Sequence, residues 1–224
     1  MVLYKEFLSK LREYSPSVEL VAVSKTKTVE DIKEAYGEGA RVFGENRVQE
    51  INEKFPQLNL DGSKVYLIGQ LQRNKVKKAV SLVDRIESVD SIPLLIKIDE
   101  ECKKINKKMD ILFEVNSSHE EQKSGFKTKE ELFSAVLKAQ ELTNVNLIGL
   151  MTVGPLGGDR EKNIAAFTYT KSLFDEISKS YPLSVLSMGM SGDWREAIDS
   201  GSTEIRIGSS IFGVRGWRSL LQFS

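Results

Sequence analysis

The chain has one cysteine and one histidine among its 224 residues, Cys102 and His119. A single cysteine excludes an internal disulfide and a zinc site built from several thiolates. With a single histidine, a histidine-rich metal centre and most Ser-His-Asp arrangements lack the residues they need, so we expect no metal site. The 32 basic and 32 acidic side chains cancel, so no global field attracts nucleic acid or an anionic membrane.

Long apolar stretches are also missing. No segment is long enough to span a bilayer, and residues 3–14 have a charged amphipathic pattern, not the apolar core of a signal peptide. These features predict a cytoplasmic protein. No linker rich in glycine, proline and serine divides the chain, so we expect one domain over residues 1–224. A Gly-x-Gly-x-x-Gly motif is absent after the first apolar run, which argues against a dinucleotide-binding fold.

The chain does contain a regular alternation of short apolar runs and helical patterns. The apolar runs predict eight strands, at 18–24, 41–43, 64–68, 85–89, 109–116, 145–151, 184–187 and 204–207. The helical patterns lie at 3–14, 29–36, 46–55, 74–80, 91–104, 128–142, 159–180 and 194–200. Such alternation implies parallel strands with right-handed crossovers. The predicted fold class is α/β, a (β/α)8 TIM barrel with an extra N-terminal helix covering a barrel end; a doubly wound open sheet is the alternative.

Lys25 is the first candidate for chemistry, because it follows the apolar run 20–23 at the end of the first strand. Barrel enzymes collect their functional residues at the carboxyl ends of the strands. A lysine whose stem lies on an apolar wall there is able to present a neutral amine that attacks a carbonyl. The alternative is an ordinary solvated lysine, which is the commoner case. Strand parity places Lys27 on the same face, so parity does not separate the two lysines.

Two glycine-bearing loops follow the last two strands, Ser191-Gly192-Asp193 and Gly208-Ser209. Free backbone N–H groups at such turns, together with the dipole of a following helix, favour an anion. Barrel enzymes frequently bind phosphate with the loops after strands seven and eight. Ser-Gly-Asp is also an ordinary helix cap, and for that loop alone the cap is the better interpretation. The two loops together favour a phosphate site.

Arg206 is predicted to point into the barrel. Along the last strand Glu204 and Arg206 share one face, while Ile205 and Ile207 share the other and should pack outward on helices. A buried guanidinium stays charged and needs an acceptor, which is either an internal carboxylate such as that of Glu204 or a ligand atom that must stay unprotonated. A lysine amine, a phosphate site and an inward arginine together fit pyridoxal 5′-phosphate (PLP), held as a Schiff base.

Seven segments resemble the pyridoxal-phosphate homeostasis protein family, also called the YggS/PROSC family. They occur in family order over nearly the whole chain: VAVSKTK at 21–27, FGENRVQE at 43–50, IGQLQRNK at 68–75, KSGF at 123–126, GLMT at 149–152, LSMGMSGD at 186–193 and IRIGSSIFG at 205–213. The last two segments together are highly specific. The resemblance implies a single barrel like the N-terminal domain of alanine racemase.

The resemblance also implies the roles of individual residues. It selects Lys25 over Lys27 as the residue that carries the cofactor, and it places Asn46 beside the cofactor and Arg206 near the pyridine nitrogen. The residues that it places around the phosphate are Ser191, Gly192, Gly208 and Ser209.

The chain departs from the family pattern at three positions. Tyr66 replaces a common histidine, Ser209 replaces a common threonine but keeps the hydroxyl, and Trp194 follows Ser-Gly-Asp. Only the change at Tyr66 puts in doubt a role, that of supporting the residues that contact the cofactor.

The function predicted from the resemblance is intracellular PLP homeostasis: storage, buffering or delivery of the cofactor, with PLP-dependent apo-enzymes as recipients. Because no second catalytic base or racemase C-terminal domain is visible, we expect a non-enzymatic, monomeric protein. The first alternative is a low-activity PLP-dependent amino-acid racemase, with Tyr66 or another tyrosine as second base. A second alternative is a barrel enzyme that binds a sugar phosphate through Lys25. His119 is expected to be an exposed loop residue.

Overall fold

A computed structural model describes residues 2–118 and 120–213 as a closed parallel barrel. Each strand pairs with the next in sequence, and the last strand pairs with the first. This pairing excludes the open doubly wound sheet and confirms the predicted (β/α)8 barrel. The strands are β1 Glu19–Val23, β2 Val42–Glu45, β3 Lys64–Leu67, β4 Arg85–Val89, β5 Met109–Val115, β6 Val145–Thr152, β7 Val185–Ser187 and β8 Glu204–Ile207.

The helices alternate with the strands, as the apolar periodicity predicts. They are α1 Tyr4–Tyr14, α2 Val29–Gly37, α3 Val48–Lys54, α4 Val76–Ala79, α5 Ile92–Lys104, α6 Lys129–Gln140, α7 Arg160–Ser178, α8 Trp194–Asp199 and α9 Ser209–Phe212. Two of them begin at a capping box, Thr28 with Asp31 for α2 and Thr128 with Glu131 for α6. The short α9 was not predicted, because a single turn of four residues carries no periodic signal.

The prediction that the N-terminal helix covers a barrel end is wrong. The apolar stripe of α1 packs in one buried cluster with the outward side chains of β8, Ile205 and Ile207. The backbone N–H of Leu3 donates to the carbonyl of Ile211 at 2.8 Å, and the rings of Phe7 and Trp194 meet edge to face at 5.5 Å. The helix therefore lies on the outside of the barrel, over the seam between β8 and β1. No helix within the described ranges is long and apolar enough to cross a membrane.

The barrel interior below the strand ends is crossed by a chain of polar contacts. The Arg85 guanidinium donates to Glu204 at 2.6 Å and to Glu87 at 3.5 Å. Glu87 in turn accepts from the Ser187 hydroxyl at 3.0 Å, and that hydroxyl accepts from Arg206 at 2.6 Å. All five side chains are buried. We call them the interior chain; it links the amino-terminal half of the barrel to the carboxyl ends of the strands.

Glu19 and Glu204 stand side by side on β1 and β8 at the lower end of the interior chain. Burial, with the Glu87 carboxylate adding to it, raises the pKa of Glu204 to about 7 against the pull of Arg85. Burial and the hydrogen bond to Glu204 raise the pKa of Glu19 to about 7 as well. The two carboxyl groups therefore hold protons in the folded state at pH values where the unfolded chain has lost them.

This arrangement predicts that the protein becomes less stable as pH rises. Because the folded state binds more protons than the unfolded chain between pH 4.5 and about 7, the free energy of unfolding should fall through that window, by roughly 1–2 kcal/mol. Urea unfolding at pH 5.5 and pH 8 measures the fall. Glu19→Gln, which supplies an amide donor without a titrating proton, should reduce it, whereas the exposed Glu13→Gln should leave it unchanged. Equal falls in both variants would contradict the assignment.

Candidate functional site

One cavity of about 590 Å³ opens at the carboxyl ends of the strands. Its walls come mainly from the loops after β1, β2, β7 and β8. All seven residues predicted from the sequence line it: Lys25, Asn46, Ser191, Gly192, Arg206, Gly208 and Ser209. The structure thus brings the predicted residues together around one space, and their part in holding a cofactor stays a prediction.

Lys25 lies in a tight turn that directly follows β1. The N–H of Lys27 donates to the carbonyl of Ser24 at 3.0 Å, so Lys25 and Thr26 are the two central residues of the turn. The side chain of Lys25 is half-buried and faces the cavity, and its amine has no hydrogen-bond acceptor within residues 2–118 and 120–213. Lys25 is therefore available to a ligand.

Lys27 also lines the cavity, but its amine is engaged elsewhere. It donates to the backbone carbonyls of Phe212 and Gly213, at 3.1 and 3.2 Å, where α9 ends. A cation at this position satisfies carbonyls that the end of a helix leaves without a partner. This contact distinguishes the two lysines that strand parity left equivalent.

Arg206 points into the barrel, on the face expected from strand alternation, and is 4% exposed. Its guanidinium donates to the Ser187 hydroxyl at 2.6 Å and to the Thr152 carbonyl at 2.7 Å. The alternative of an ion pair with Glu204 is not realised, because Glu204 pairs with Arg85 instead. Within the described residues no carboxylate bonds directly to the Arg206 guanidinium, which stays charged, and Arg206 lines the cavity.

The two loops predicted to bind phosphate meet across the cavity. The Ser210 N–H lies 3.4 Å from the Ser191 hydroxyl, which connects the loop after β7 to the start of α9. Gly192 has open space around the position of a β-carbon. Gly189 has a φ of +95° and would place a β-carbon 2.6 Å from Ala197, so only glycine fits this loop. Asp193 accepts from the Met190 N–H at 2.6 Å and does not cap α8 with its side chain.

Asn46 follows β2 and faces the cavity with a buried side-chain oxygen that has no partner in the described chain. Its backbone is approached closely by Gly69, where a β-carbon would lie 2.4 Å from the Asn46 carbonyl oxygen. The loop after β3 therefore lies against Asn46, and Gln70 and Gln72 of that loop line a second, adjoining cavity of about 380 Å³. An unpartnered amide oxygen at the wall is a ready acceptor for a ligand hydroxyl.

These groups fit a phosphorylated aldehyde that carries a pyridine ring. A free amine, a guanidinium, two serine hydroxyls on adjacent loops and an unpartnered amide border one space of suitable size. PLP, when bound, supplies an aldehyde that condenses with a primary amine. Lys25 would hold the aldehyde, Ser191 and Ser209 the phosphate, and Arg206 the ring nitrogen.

Three ionisable residues behind Lys25 were not singled out by the sequence. Glu45 is fully buried and accepts from Ser24 at 2.7 Å, and burial raises its pKa. Burial alone would raise the pKa of Glu50 too, but hydrogen bonds from Lys54 and the Thr26 N–H outweigh it and hold the pKa below its usual value. Only a weak sequence signal indicated these residues, since Glu50 and Lys54 have the spacing of an ordinary i, i+4 ion pair on a helix surface.

Other sequence candidates lie away from the cavity. Tyr66 is 1% exposed, its ring lies 4.0 Å from the guanidinium carbon of Arg85, and burial raises the pKa of its phenol. None of the described residues lining the cavity is a tyrosine. The idea that Tyr66 or another tyrosine supplies a second base at this site is therefore wrong for the described residues. Burial raises the pKa of the Cys102 thiol to about 11, and His119 lies outside the described residues.

Comparison with known proteins identifies the family. A model of the family described as alanine racemase, N-terminal domain, matches residues 5–216. The pyridoxal phosphate homeostasis protein of Synechocystis sp. is 41% identical over 218 residues, a match that covers 95% of this chain and 97% of that protein. The human protein of the same name is 36% identical, with 88% of this chain and 77% of that protein covered.

Solved structures agree with this similarity. PipY of Synechococcus elongatus PCC7942, solved with PLP bound, superposes with a TM-score of 0.87 at 36% identity, over 94% of this chain and 100% of that chain. An alanine racemase of Clostridium difficile 630 superposes with a TM-score of 0.73 at 16% identity, over 92% of this chain and 55% of that chain, which is a likeness of fold alone. The predicted family is confirmed: this chain belongs to the pyridoxal phosphate homeostasis protein family.

Proposed function

We propose that this protein binds PLP and maintains its supply by storing, buffering or delivering it, with the cofactor held as a Schiff base on Lys25. The observation that carries the proposal is one cavity lined by Arg206, by the two serine-bearing loops and by Lys25, whose amine has no acceptor among the described residues. The names of relatives that match nearly the whole chain and the PLP bound by PipY support the same ligand.

The covalent step needs only groups that the cavity provides. The Lys25 amine would attack the aldehyde carbon, a carbon–nitrogen double bond would form, and the carbonyl oxygen would leave as water with the two amine protons. The backbone of Lys25 is held by the turn that directly follows a buried strand. The reaction is reversible by water, which suits a protein that releases its ligand again.

Arg206 restricts what the bound cofactor does. If PLP binds with its ring nitrogen beside this permanently charged guanidinium, Arg206 would disfavour protonation of that nitrogen, and an unprotonated pyridine is a poorer electron sink. Ser187 and the Thr152 carbonyl fix the guanidinium from behind, so it cannot turn away. With no tyrosine on the described wall to act as an opposing base, we propose a role without catalytic turnover.

The proposal extends to assembly and location. We propose that the protein is a monomer. We also propose the cytoplasm as its location and PLP-dependent apo-enzymes as the recipients of the cofactor. Light scattering of the purified protein tests the first point, and transfer of PLP to an apo-enzyme in a coupled activity assay tests the last.

Reduction with borohydride tests the ligand. Protein incubated with PLP and reduced should gain the mass of one pyridoxyl phosphate group per chain, because hydride adds to the carbon of the double bond and makes the link permanent. Absence of the adduct would instead favour a sugar-phosphate enzyme. Incubation of the loaded protein with L-amino acids, followed by chiral analysis, tests the racemase alternative: sustained appearance of D-enantiomers would overturn the non-enzymatic role.

A further inference from the structure

The turn that carries Lys25 contains an unfavourable backbone conformation. Thr26, the residue after Lys25, has a φ of +63°. Residues with a branched β-carbon rarely adopt this left-handed region, where the second central position of such a turn ordinarily holds glycine or asparagine. A conformation of this kind persists only when surrounding contacts impose it. Contacts with the rest of the protein must therefore hold Thr26 in the left-handed conformation.

The contact that holds Thr26 in this conformation comes from α3. The Glu50 carboxylate accepts the backbone N–H of Thr26 at 2.8 Å, although 24 residues separate them. The same carboxylate oxygen is held by the Lys54 amine at 2.7 Å. Lys54 also donates to the Ser24 carbonyl at 3.1 Å, on the other side of Lys25. The residues before and after Lys25 are thus both fixed by one ion pair on a neighbouring helix.

The first residue of the turn is fixed a second time from below. The Ser24 hydroxyl donates to Glu45 at 2.7 Å, and the Ser24 N–H donates to the Gly44 carbonyl at 3.0 Å. Glu45 also binds Lys54, at 3.1 Å. Ser24 and Glu45 are both fully buried, so this half of the network is rigid. Thr26 is exposed and is the part of the turn that depends on Glu50.

We propose that Glu50 is a positioning residue for Lys25: its carboxylate holds Thr26 in the left-handed conformation, and this keeps the Lys25 amine aimed into the cavity before PLP arrives. The inference rests on the proposed function, since it concerns how the same amine is presented. Without the Glu50 contact, Thr26 relaxes and the competent turn becomes a minor conformer. The apparent dissociation constant then rises by the inverse of the competent fraction.

A double-mutant cycle tests the proposal. In Glu50→Ala the dissociation constant for PLP, measured by absorbance titration, should rise about tenfold, equivalent to about 1.4 kcal/mol. In the Thr26→Gly background the same substitution should cost less than about threefold, because glycine adopts the left-handed conformation without a side-chain penalty. Glu50→Gln keeps an acceptor for the Thr26 N–H and should retain most of the affinity. Glu53→Ala, an exposed carboxylate on the same helix, is the matched control.

Three results would overturn the positioning role of Glu50. If Glu50→Ala binds PLP as tightly as Glu53→Ala, or loses as much affinity in the Thr26→Gly background as in the Thr26 background, the positioning role is overturned. If Glu50→Gln is as weak as Glu50→Ala, charge and not the hydrogen bond is responsible, which also overturns it. Circular dichroism during urea unfolding should give similar midpoints for Glu50→Ala and Glu53→Ala. Failure of the wild type itself to form a PLP adduct would sink the proposed function instead.

Discussion

Lys25→Ala should lose the covalent adduct, with borohydride leaving less than about one-tenth of the wild-type pyridoxyl yield. The reason is that the alanine variant has no amine at the end of β1, while the rest of the cavity wall is unchanged. PLP should still bind weakly, because the two serine-bearing loops and Arg206 remain. Intact-mass spectrometry after reduction measures the adduct, and the visible absorbance band of the bound cofactor should disappear with it.

Lys27→Ala is the control for this experiment, because it removes the other lysine of the cavity wall. Lys27 lines the same cavity, but its amine donates hydrogen bonds to the carbonyls of Phe212 and Gly213. We expect this variant to keep one adduct per chain, at a higher PLP concentration because the end of α9 is less well fixed. An adduct that survives in Lys25→Ala and vanishes in Lys27→Ala would show that the wrong lysine was chosen.

Arg85→Ala should be the most destabilising of the substitutions considered, costing about 3–5 kcal/mol of the free energy of unfolding at pH 8. Arg85 is the cation of the interior chain that bonds carboxylates directly, 2.6 Å from Glu204 and 3.5 Å from Glu87, and it is only 8% exposed. Its removal leaves two buried carboxylates without a counter-charge. At pH 5.5 the cost should shrink, because Glu204 then takes up a proton and is no longer charged.

Arg41→Ala provides the control for this measurement. Arg41 also contacts a tyrosine ring, that of Tyr36 at 4.1 Å, and donates to backbone carbonyls, but it is exposed and forms no carboxylate pair within residues 2–118 and 120–213. Its loss should cost below about 1 kcal/mol, as is usual for surface residues. Equal effects of the two substitutions, or a pH-independent cost for Arg85→Ala, would contradict the account of the barrel interior.

Strand periodicity made the barrel and part of the site predictable. Alternation along β8 correctly separated the inward Arg206 from the outward isoleucines, because a two-residue period depends only on the local backbone. The position of the loops after β7 and β8 followed from the same argument, since parallel strands end at one face of the barrel. The serines and glycines of these loops favour an anion site, which stays a prediction.

Contacts between residues far apart in sequence were not predictable. Strand parity did not separate Lys25 from Lys27; the family resemblance selected Lys25, and the physical difference is the contact of Lys27 with the end of α9, 185 residues later. Glu204 was considered as a partner for Arg206 from the same strand, but its partner Arg85 lies across the barrel, 119 residues away. The outward position of α1 depended likewise on α9 and β8, whose surfaces a local pattern does not describe.

The seam between β1 and β8 has a consequence for when binding ability arises during synthesis. Lys25 leaves the ribosome long before Arg206 and Ser209, which belong to β8 and the turn after it. Closing a loop of that length carries a large entropic cost, which late contacts must repay together. An incomplete chain therefore has the reactive amine but no anion site opposite it. Binding of the cofactor therefore requires that β8 has paired with β1. Bound PLP then stabilises the closed barrel by mass action.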